Sequence, residues 1–431
     1  MLIDFTLKNL FARLGVLALV VGGLIALTAA SLNGFVVGAL TDTRAEVTGS
    51  DLQAAAQYCP NSARLEGRLA EAELMGPERD LDKAESDSQR AISLSPNSFG
   101  LRMIFAAIKE AKGDRAGAEQ ALREAERLAP ANGDVQWRLA NLMLRQGNTE
   151  GSLDSFRVAI KANPGLLPAA LDLVWRYSRG SSDELNRIVP DEPPLKVRLA
   201  RFLIHQGRPS ESLEVFNSIG ARSSRACPES WDFLQDLLAT GNVGEARNVW
   251  LSLIGDKPGD ESSAAVFNSG FESDPAPTRD QFDWKVTPTA AAQVFIDTGT
   301  FHSGGRSLRI EFVGHETTRL DGTVKELTVI KPGAHYKLEF YSRSENLVTS
   351  DGPRIALSSV AFPEWTAKSG PIAAGTSDWR SESVDFVAPG VKGGPAIPMI
   401  ISFIRTPKLN YEEPMRGIVW LDDFSLNEVK Q

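Results

Sequence analysis

Three hydrophobic patterns follow one another along the chain. From Leu14 to Thr41 no residue is charged, a run of 28 positions. As a helix it would extend about 42 Å at about 1.5 Å per residue, against a bilayer hydrocarbon core of about 30 Å. Asp4, Lys8 and Arg13 precede the run, and Asp42, Arg44 and Glu46 follow it. The basic excess on the N-terminal side predicts that side in the cytoplasm and the remainder exported. A signal peptide cleaved after Ala30, in Thr28-Ala29-Ala30, is the competing reading. The run is longer than a usual signal core, which favours an uncleaved anchor.

The second pattern is helical and repeats. Pro96, Pro130 and Pro164 are spaced by 34 residues, as are Gly113 and Gly147. Ala118, Leu122 and Ala125 fall at the same offsets as Ser152, Phe156 and Ala159. Small–large–small positions on one helix face let two helices approach closely. The glycine ends a first helix, where left-handed backbone is needed, and the proline is expected to start the next unit. Over Phe99–Gly165 this pattern resembles the tetratricopeptide repeat family. Leu65–Ser98 reads as an earlier copy through Ala84, Ala91 and Pro96. Gly207 and Gly241, again 34 apart, mark later copies with Ser212–Phe216 and Ala246–Trp250. The register slips at Ser181–Pro194, which reads as an irregular unit. The resemblance implies about five or six stacked helix pairs over Leu65–Gly255, each burying its apolar face on its neighbours and leaving a concave partner-binding surface.

Around Lys257–Ser263 the period changes to two. Ser307–Phe312, Tyr336–Ser342, Arg354–Val360, Ser383–Val387, Met399–Arg405 and Ile418–Leu426 alternate between Gly/Pro turns, which predicts an all-β sandwich. Four segments in order, Phe267–Glu272, Gly304–Ile310, Tyr336–Phe340 and Trp420–Leu426, make Ala265–Val429 similar to the jelly rolls of carbohydrate-binding modules. That resemblance implies a structural calcium tying Glu272 to Asp422 or Asp423, hard oxygen ligands from the two chain ends. The alternative is a solvated acidic turn, or Asp422 accepting from backbone N–H groups.

Composition narrows the functional classes. The net charge of −9 and pI near 5.2 oppose nucleic-acid binding, since no basic stripe is present. Cys59 and Cys227 make neither a metal motif nor a disulfide framework, and read as two buried thiols, a single bridge in an oxidising compartment being the alternative. The four histidines, His205, His302, His315 and His335, have no metal-ligand spacing. No nucleophile elbow or phosphate loop occurs. Glu412 and Glu413 are adjacent, so on a strand they point to opposite faces and cannot form a glycosidase pair. The chain reads as non-enzymatic.

Candidate binding residues follow from the patterns. Counting from the repeat glycines puts Met103, Trp137, Asn141, Val197, Arg201, Trp231 and Gln235 on the groove side of the first helices, where aromatic and Arg anchors suit a protein partner. On Tyr336–Arg343 one face is apolar. The other carries Glu339, Tyr341 and Arg343, which could stack on and hydrogen-bond a sugar, with Trp365 as a second aromatic. Trp379 and Trp420 read as sandwich packing. The expected protein is multidomain: an anchor over 1–45, a tetratricopeptide solenoid over 50–258 and a jelly-roll sandwich over 262–431. The expected role is a membrane-anchored scaffold that binds a protein partner and a glycan in cell-surface polysaccharide biosynthesis or export. An envelope assembly or secretion factor, whose sandwich makes only protein contacts, is the alternative.

Overall fold

The computed structural model describes residues 10–40, 49–76, 79–255, 265–275, 278, 280–314, 319–407 and 414–429. Asp4, Lys8, Asp42, Arg44, Glu46, His315, the Glu412–Glu413 pair and the Lys257–Ser263 boundary lie outside them. The chain divides into two compact units, Met1–Asp191 and Glu192–Gln431.

The first unit opens with helix α1 (Leu10–Leu40). Its Leu14–Leu32 stretch has a mean hydropathy of 2.3 and none of it is buried in the chain. It is long and apolar enough to cross a membrane, and a signal sequence has the same features. After α2 (Gly49–Tyr58) come helix pairs: α3 (Ala63–Met75) with α4 (Leu81–Leu94), α5 (Phe99–Ala111) with α6 (Arg115–Leu128), and α7 (Gly133–Arg145) with α8 (Thr149–Ala162). Helices α9 (Leu167–Tyr177) and α10 (Ser182–Ile188) close the unit, α10 being short where the repeat register slips.

Local chemistry fixes each turn. Gly113 and Gly147 have φ of +79° and +83°, which side-chain-bearing residues adopt only with strain. The next N–H reaches back to close the helix, Asp114 to the Lys109 carbonyl and Asn148 to that of Met143, both at 2.9 Å. The same two side chains then cap the second helix, Asp114 accepting from Gly117 at 2.9 Å and Asn148 from Gly151 at 3.2 Å. Ala118, Leu122, Ala125, Ser152, Phe156 and Ala159 are all buried. The prolines differ from expectation. Pro96 and Pro130 follow the C-caps Ser95 and Ala129, while Ser98 and Asn132 cap the next helices. Pro96 and Pro130 stop one helix rather than starting another; of the three repeat prolines, Pro164 begins a helical turn, a short 3₁₀ segment.

The second unit joins helices to strands. It contains α11 (Pro193–His205), α12 (Pro209–Asn217), α13 (Ala221–Ala226), α14 (Glu229–Ala239) and α15 (Val243–Ile254). Ten strands follow: β1 (Lys285–Val286), β2 (Ala292–Asp297), β3 (Ser307–Val313), β4 (Leu320–Ile330), β5 (His335–Val348), β6 (Arg354–Ser358), β7 (Thr366–Lys368), β8 (Gly375–Val387), β9 (Ile397–Arg405) and β10 (Arg416–Glu428). They form two five-stranded antiparallel sheets, β1-β4-β9-β6-β7 and β2-β3-β10-β5-β8. Five of the six alternating runs read in the sequence lie wholly on strands, and Arg354–Val360 runs two residues past the end of β6. Strand β4 was not among them, because a register shift between Asp321 and Val324, with Gly322 at φ +80°, interrupts its alternation. Leu308, Ile310, Leu338, Phe340, Met399, Ile401, Phe403 and Phe424 are buried in one core cluster.

The last helix belongs to this unit as much as the sheets do. Trp250 on α15 is 1% exposed. Its ring meets Phe267 edge-on at 4.8 Å and Phe282 at 5.7 Å, both just before β1. Burial on the same helix pushes the Arg247 guanidinium down, with the charge of Glu326 on β4 opposing. Glu326 also accepts from the Phe267 N–H at 2.8 Å. Trp250→Ala should therefore cost about 3–5 kcal/mol of stability. Urea unfolding checks this, and a loss below about 1 kcal/mol would refute the shared packing.

Candidate binding surfaces

Met103, Trp137 and Asn141 come together in the first unit, on first helices α5 and α7. Two clefts run along this face. One, of about 380 Å³, is lined by Trp137, Asn141, Arg145, Glu110, Leu173 and Tyr177 among others. The second, of about 400 Å³, is lined by Arg64, Arg68, Met75, Met103 and Ile104 among others. Ala107 and Arg138 border both. Trp137 is half-buried: its edge contacts the fully buried Phe156 at 5.2 Å, while it also lines the cleft. It is thus held by its own repeat and available to a ligand. Asn141 turns its amide back onto the Trp137 carbonyl at 2.8 Å. Arg145 pairs with both Glu110 oxygens at 3.2 Å.

Arg201, Trp231 and Gln235 lie in the second unit, on α11 and α14. Arg201 is held by Asp236 at 2.6 Å and Asp232 at 3.0 Å. Gln235 is exposed and Trp231 half-buried. Val197, counted as groove-lining from the sequence, is completely buried.

The outer face of the β2-β3-β10-β5-β8 sheet carries Glu339, Tyr341 and Arg343 from β5. Glu339 pairs with Lys337 at 2.6 Å. His302 lies flat on Tyr341, with ring centroids 3.6 Å apart and planes 15° from parallel, and meets Trp379 at 5.7 Å. Sequence reasoning missed His302; nothing in its neighbourhood signals the stack. The Arg343 guanidinium lies over Trp420 at 5.6 Å and 3.8 Å from Asp378. Trp420 is buried, yet not between the sheets: Val419 and Leu421 face the core, and the Trp420 indole N–H donates to Asp297 at 2.8 Å. Trp379 is likewise outside the core cluster and half-buried. Trp365 does not join this face. It packs against the core and Phe386, 5.6 Å away, beside β7 of the other sheet.

The tetratricopeptide-repeat family profile matches residues 108–166. That segment spans the α6–α8 turns and buried stripes described above. The helical region is tetratricopeptide-like, and the family match itself lies within residues 108–166. The chain is similar to the crystal structure of MamA, with 12% identity over 40% of this chain and 84% of that one and a TM-score of 0.27. It is also similar to TTC0263, a thermophilic TPR protein in Thermus thermophilus, with 23% identity over 31% and 70% of the two chains and a TM-score of 0.26. A third similarity is to TmCBM61, solved in complex with β-1,4-galactotriose, with 17% identity over 38% of this chain and 99% of that one and a TM-score of 0.26. Among curated protein sequences none matches significantly. The two antiparallel sheets downstream of the tetratricopeptide array form a jelly-roll-like domain.

Glu272, Asp422 and Asp423 converge on the turn between β2 and β3. Glu272 accepts from the N–H groups of Gly305 at 2.9 Å and Arg306 at 3.2 Å. Asp422 accepts from those of His302 at 2.7 Å, Ser303 at 3.4 Å and Asp423 at 2.8 Å. Asp423 takes the Ser303 hydroxyl at 2.7 Å and contacts His302 Nδ1 at 2.6 Å. Neighbouring strand residues normally point to opposite faces. Here a bulge between Asp422 and Ser425, with Asp423 at φ +50°, lets both reach the same turn. Among the described residues no group of three or more His, Cys, Asp or Glu side chains has the arrangement of a metal site. Glu272 and Asp422 sit on backbone donors, which tie the turn down.

Burial pushes the Asp422 carboxyl up to about 6, the His302 N–H opposing and the Asp423 charge adding to the rise. A folded value above the unfolded one, about 4, means stability present at low pH and lost as pH rises through about 6. The melting-temperature difference between Asp422→Asn and the parent should therefore move in the variant's favour from about pH 5 to about pH 7. A difference independent of pH would refute the perturbation.

Proposed function

We propose that this protein is a non-enzymatic scaffold. Its tetratricopeptide clefts hold a protein partner, α1 anchors it in the inner membrane with the bulk of the chain outside the cytoplasm, and its sandwich contacts glycan during the making or export of a cell-surface polysaccharide. The observation that carries the partner reading is Trp137, half-buried in the cleft and braced by Phe156. An aromatic pre-positioned in this way loses little freedom on binding. Arg201, Trp231 and Gln235 offer a second contact surface, less open because Arg201 is already paired. The glycan reading draws on the Glu339–Tyr341–Arg343 face and its neighbours Trp379 and His302. Two observations favour the alternative, an assembly or secretion factor whose sandwich makes protein contacts only: His302 covers a face of Tyr341, and Trp365 packs elsewhere.

Photocrosslinking from position 141 in the full-length protein identifies the partner. Trp137→Ala should then weaken that complex by about 2 kcal/mol or more with little change in melting temperature. A comparable loss of stability instead would make Trp137 a packing residue and remove the groove reading. Titration of the full-length protein with envelope polysaccharide tests the sandwich. His302→Ala, which uncovers the Tyr341 ring, should strengthen any glycan binding that relies on stacking there. An unaltered affinity moves the glycan site off Tyr341, and no binding at all favours the protein-contact alternative. A calcium titration should leave the melting temperature unchanged if the backbone donors alone hold Glu272 and Asp422; a rise of several degrees would support a bound ion.

A further inference from the structure

The cationic side chains of the tetratricopeptide clefts are not all neutralised. Arg68 is paired with Glu71 at 3.0 Å and Arg145 with Glu110 at 3.2 Å. Arg64 on α3 and Arg138 on α7 line the clefts, are exposed, and have no hydrogen-bond or ion-pair partner among the described residues. Every acidic side chain lining the two clefts is thus matched, and two cations are left over. This occurs in a chain whose net charge is −9. Beside them lies an apolar floor that includes Met103, Ile104 and Met75, the last 71% exposed. Methionine and isoleucine side chains there present a compliant surface to another apolar side chain.

We propose that the second cleft, which shares Ala107 and Arg138 with the cleft of Trp137, takes an acidic segment of a protein partner, whose carboxylates pair with Arg64 and Arg138 and whose apolar side chain lies on Met75, Met103 and Ile104. This rests on the reading of the cleft as a protein-binding surface. Charge complementarity selects the occupant: arginine forks pair bidentately with carboxylates, and an isolated pair of cations over an apolar floor suits a mixed acidic–apolar chain. A nucleic-acid backbone would need a longer basic track.

The test uses the full-length protein in detergent micelles and fluorescence anisotropy. The probes are three labelled synthetic peptides sharing the same Leu and Met positions, with Glu and Asp, Gln and Asn, or Lys elsewhere, and a labelled single-stranded DNA. The acidic peptide should bind about tenfold or more tighter than the neutral one at low salt, and the advantage should shrink as salt rises. Arg64→Glu and Arg138→Glu should each weaken it about fivefold or more, with unchanged circular-dichroism melts. Arg127→Glu, an equal charge change at an exposed site on α6, should leave it nearly unaltered. Neutral-peptide binding that is equally tight and lost in Trp137→Ala overturns the acidic partner and keeps the cleft reading. Absence of any peptide binding sensitive to Trp137→Ala overturns both. Equal losses in Arg127→Glu and Arg138→Glu, or preferential DNA binding through Arg64 and Arg138, overturn the proposal.

Discussion

A stack of helix pairs must end somewhere, and the final helix then presents an apolar face with no further copy to cover it. In this chain that face contains Trp250, one of the largest fully buried side chains. The covering rings, Phe267 and Phe282, come from the segment that leads into the sheets. Their backbone is positioned by Glu326, which takes the Phe267 N–H and also balances the desolvated Arg247. Apolar contact and a compensated charge act together at this joint. Without the charge partner, burial of Arg247 would be costly; without the rings, the last repeat would be open to water.

The helical part was legible because its constraints are sequence-local. A left-handed turn requires glycine, so Gly113 and Gly147 recur at a fixed spacing. Close helix approach requires small residues, so Ala118 and Ser152 occupy the same offset. The strands were legible where one face is core and the other is not, as on β5. Alternation failed on β4, where Thr323 and Val324 are consecutively buried across a bulge. The compact division at Asp191 was not legible at all. The change from helical to alternating pattern lies some 65 residues later, and it takes three-dimensional contacts, such as that of Trp250 with Phe267, to join the last helices to the sheets.

The candidate surfaces were partly legible. Counting from the glycines brought Met103, Trp137 and Asn141 to clefts, since the helical period fixes the facing side. The same counting put Val197 on the lining, where it is completely buried, although Arg201 on the same helix is only half-buried. On the sandwich, the β5 face was read correctly as Glu339, Tyr341 and Arg343, but its occupants were not. His302 arrives from a turn held by two successive aspartates, and that hold depends on a left-handed Asp423 that no alternation rule anticipates. Trp420 could have been placed from its neighbours: with Val419 and Leu421 inward, it must face outward, where Arg343 lies over its ring.

Repeat arrays change length over evolutionary time by duplicating or losing whole units, because each unit contacts only its neighbours. Trp250 withdraws that freedom from the C-terminal end. A copy inserted after α15 would need to reproduce both a tryptophan for the sandwich and an ordinary repeat face for α15, while a deletion of α15 would leave Phe267 and Phe282 uncovered. Variation in repeat number among related chains should accordingly accumulate upstream, with the last helix and the sandwich inherited as a fixed pair.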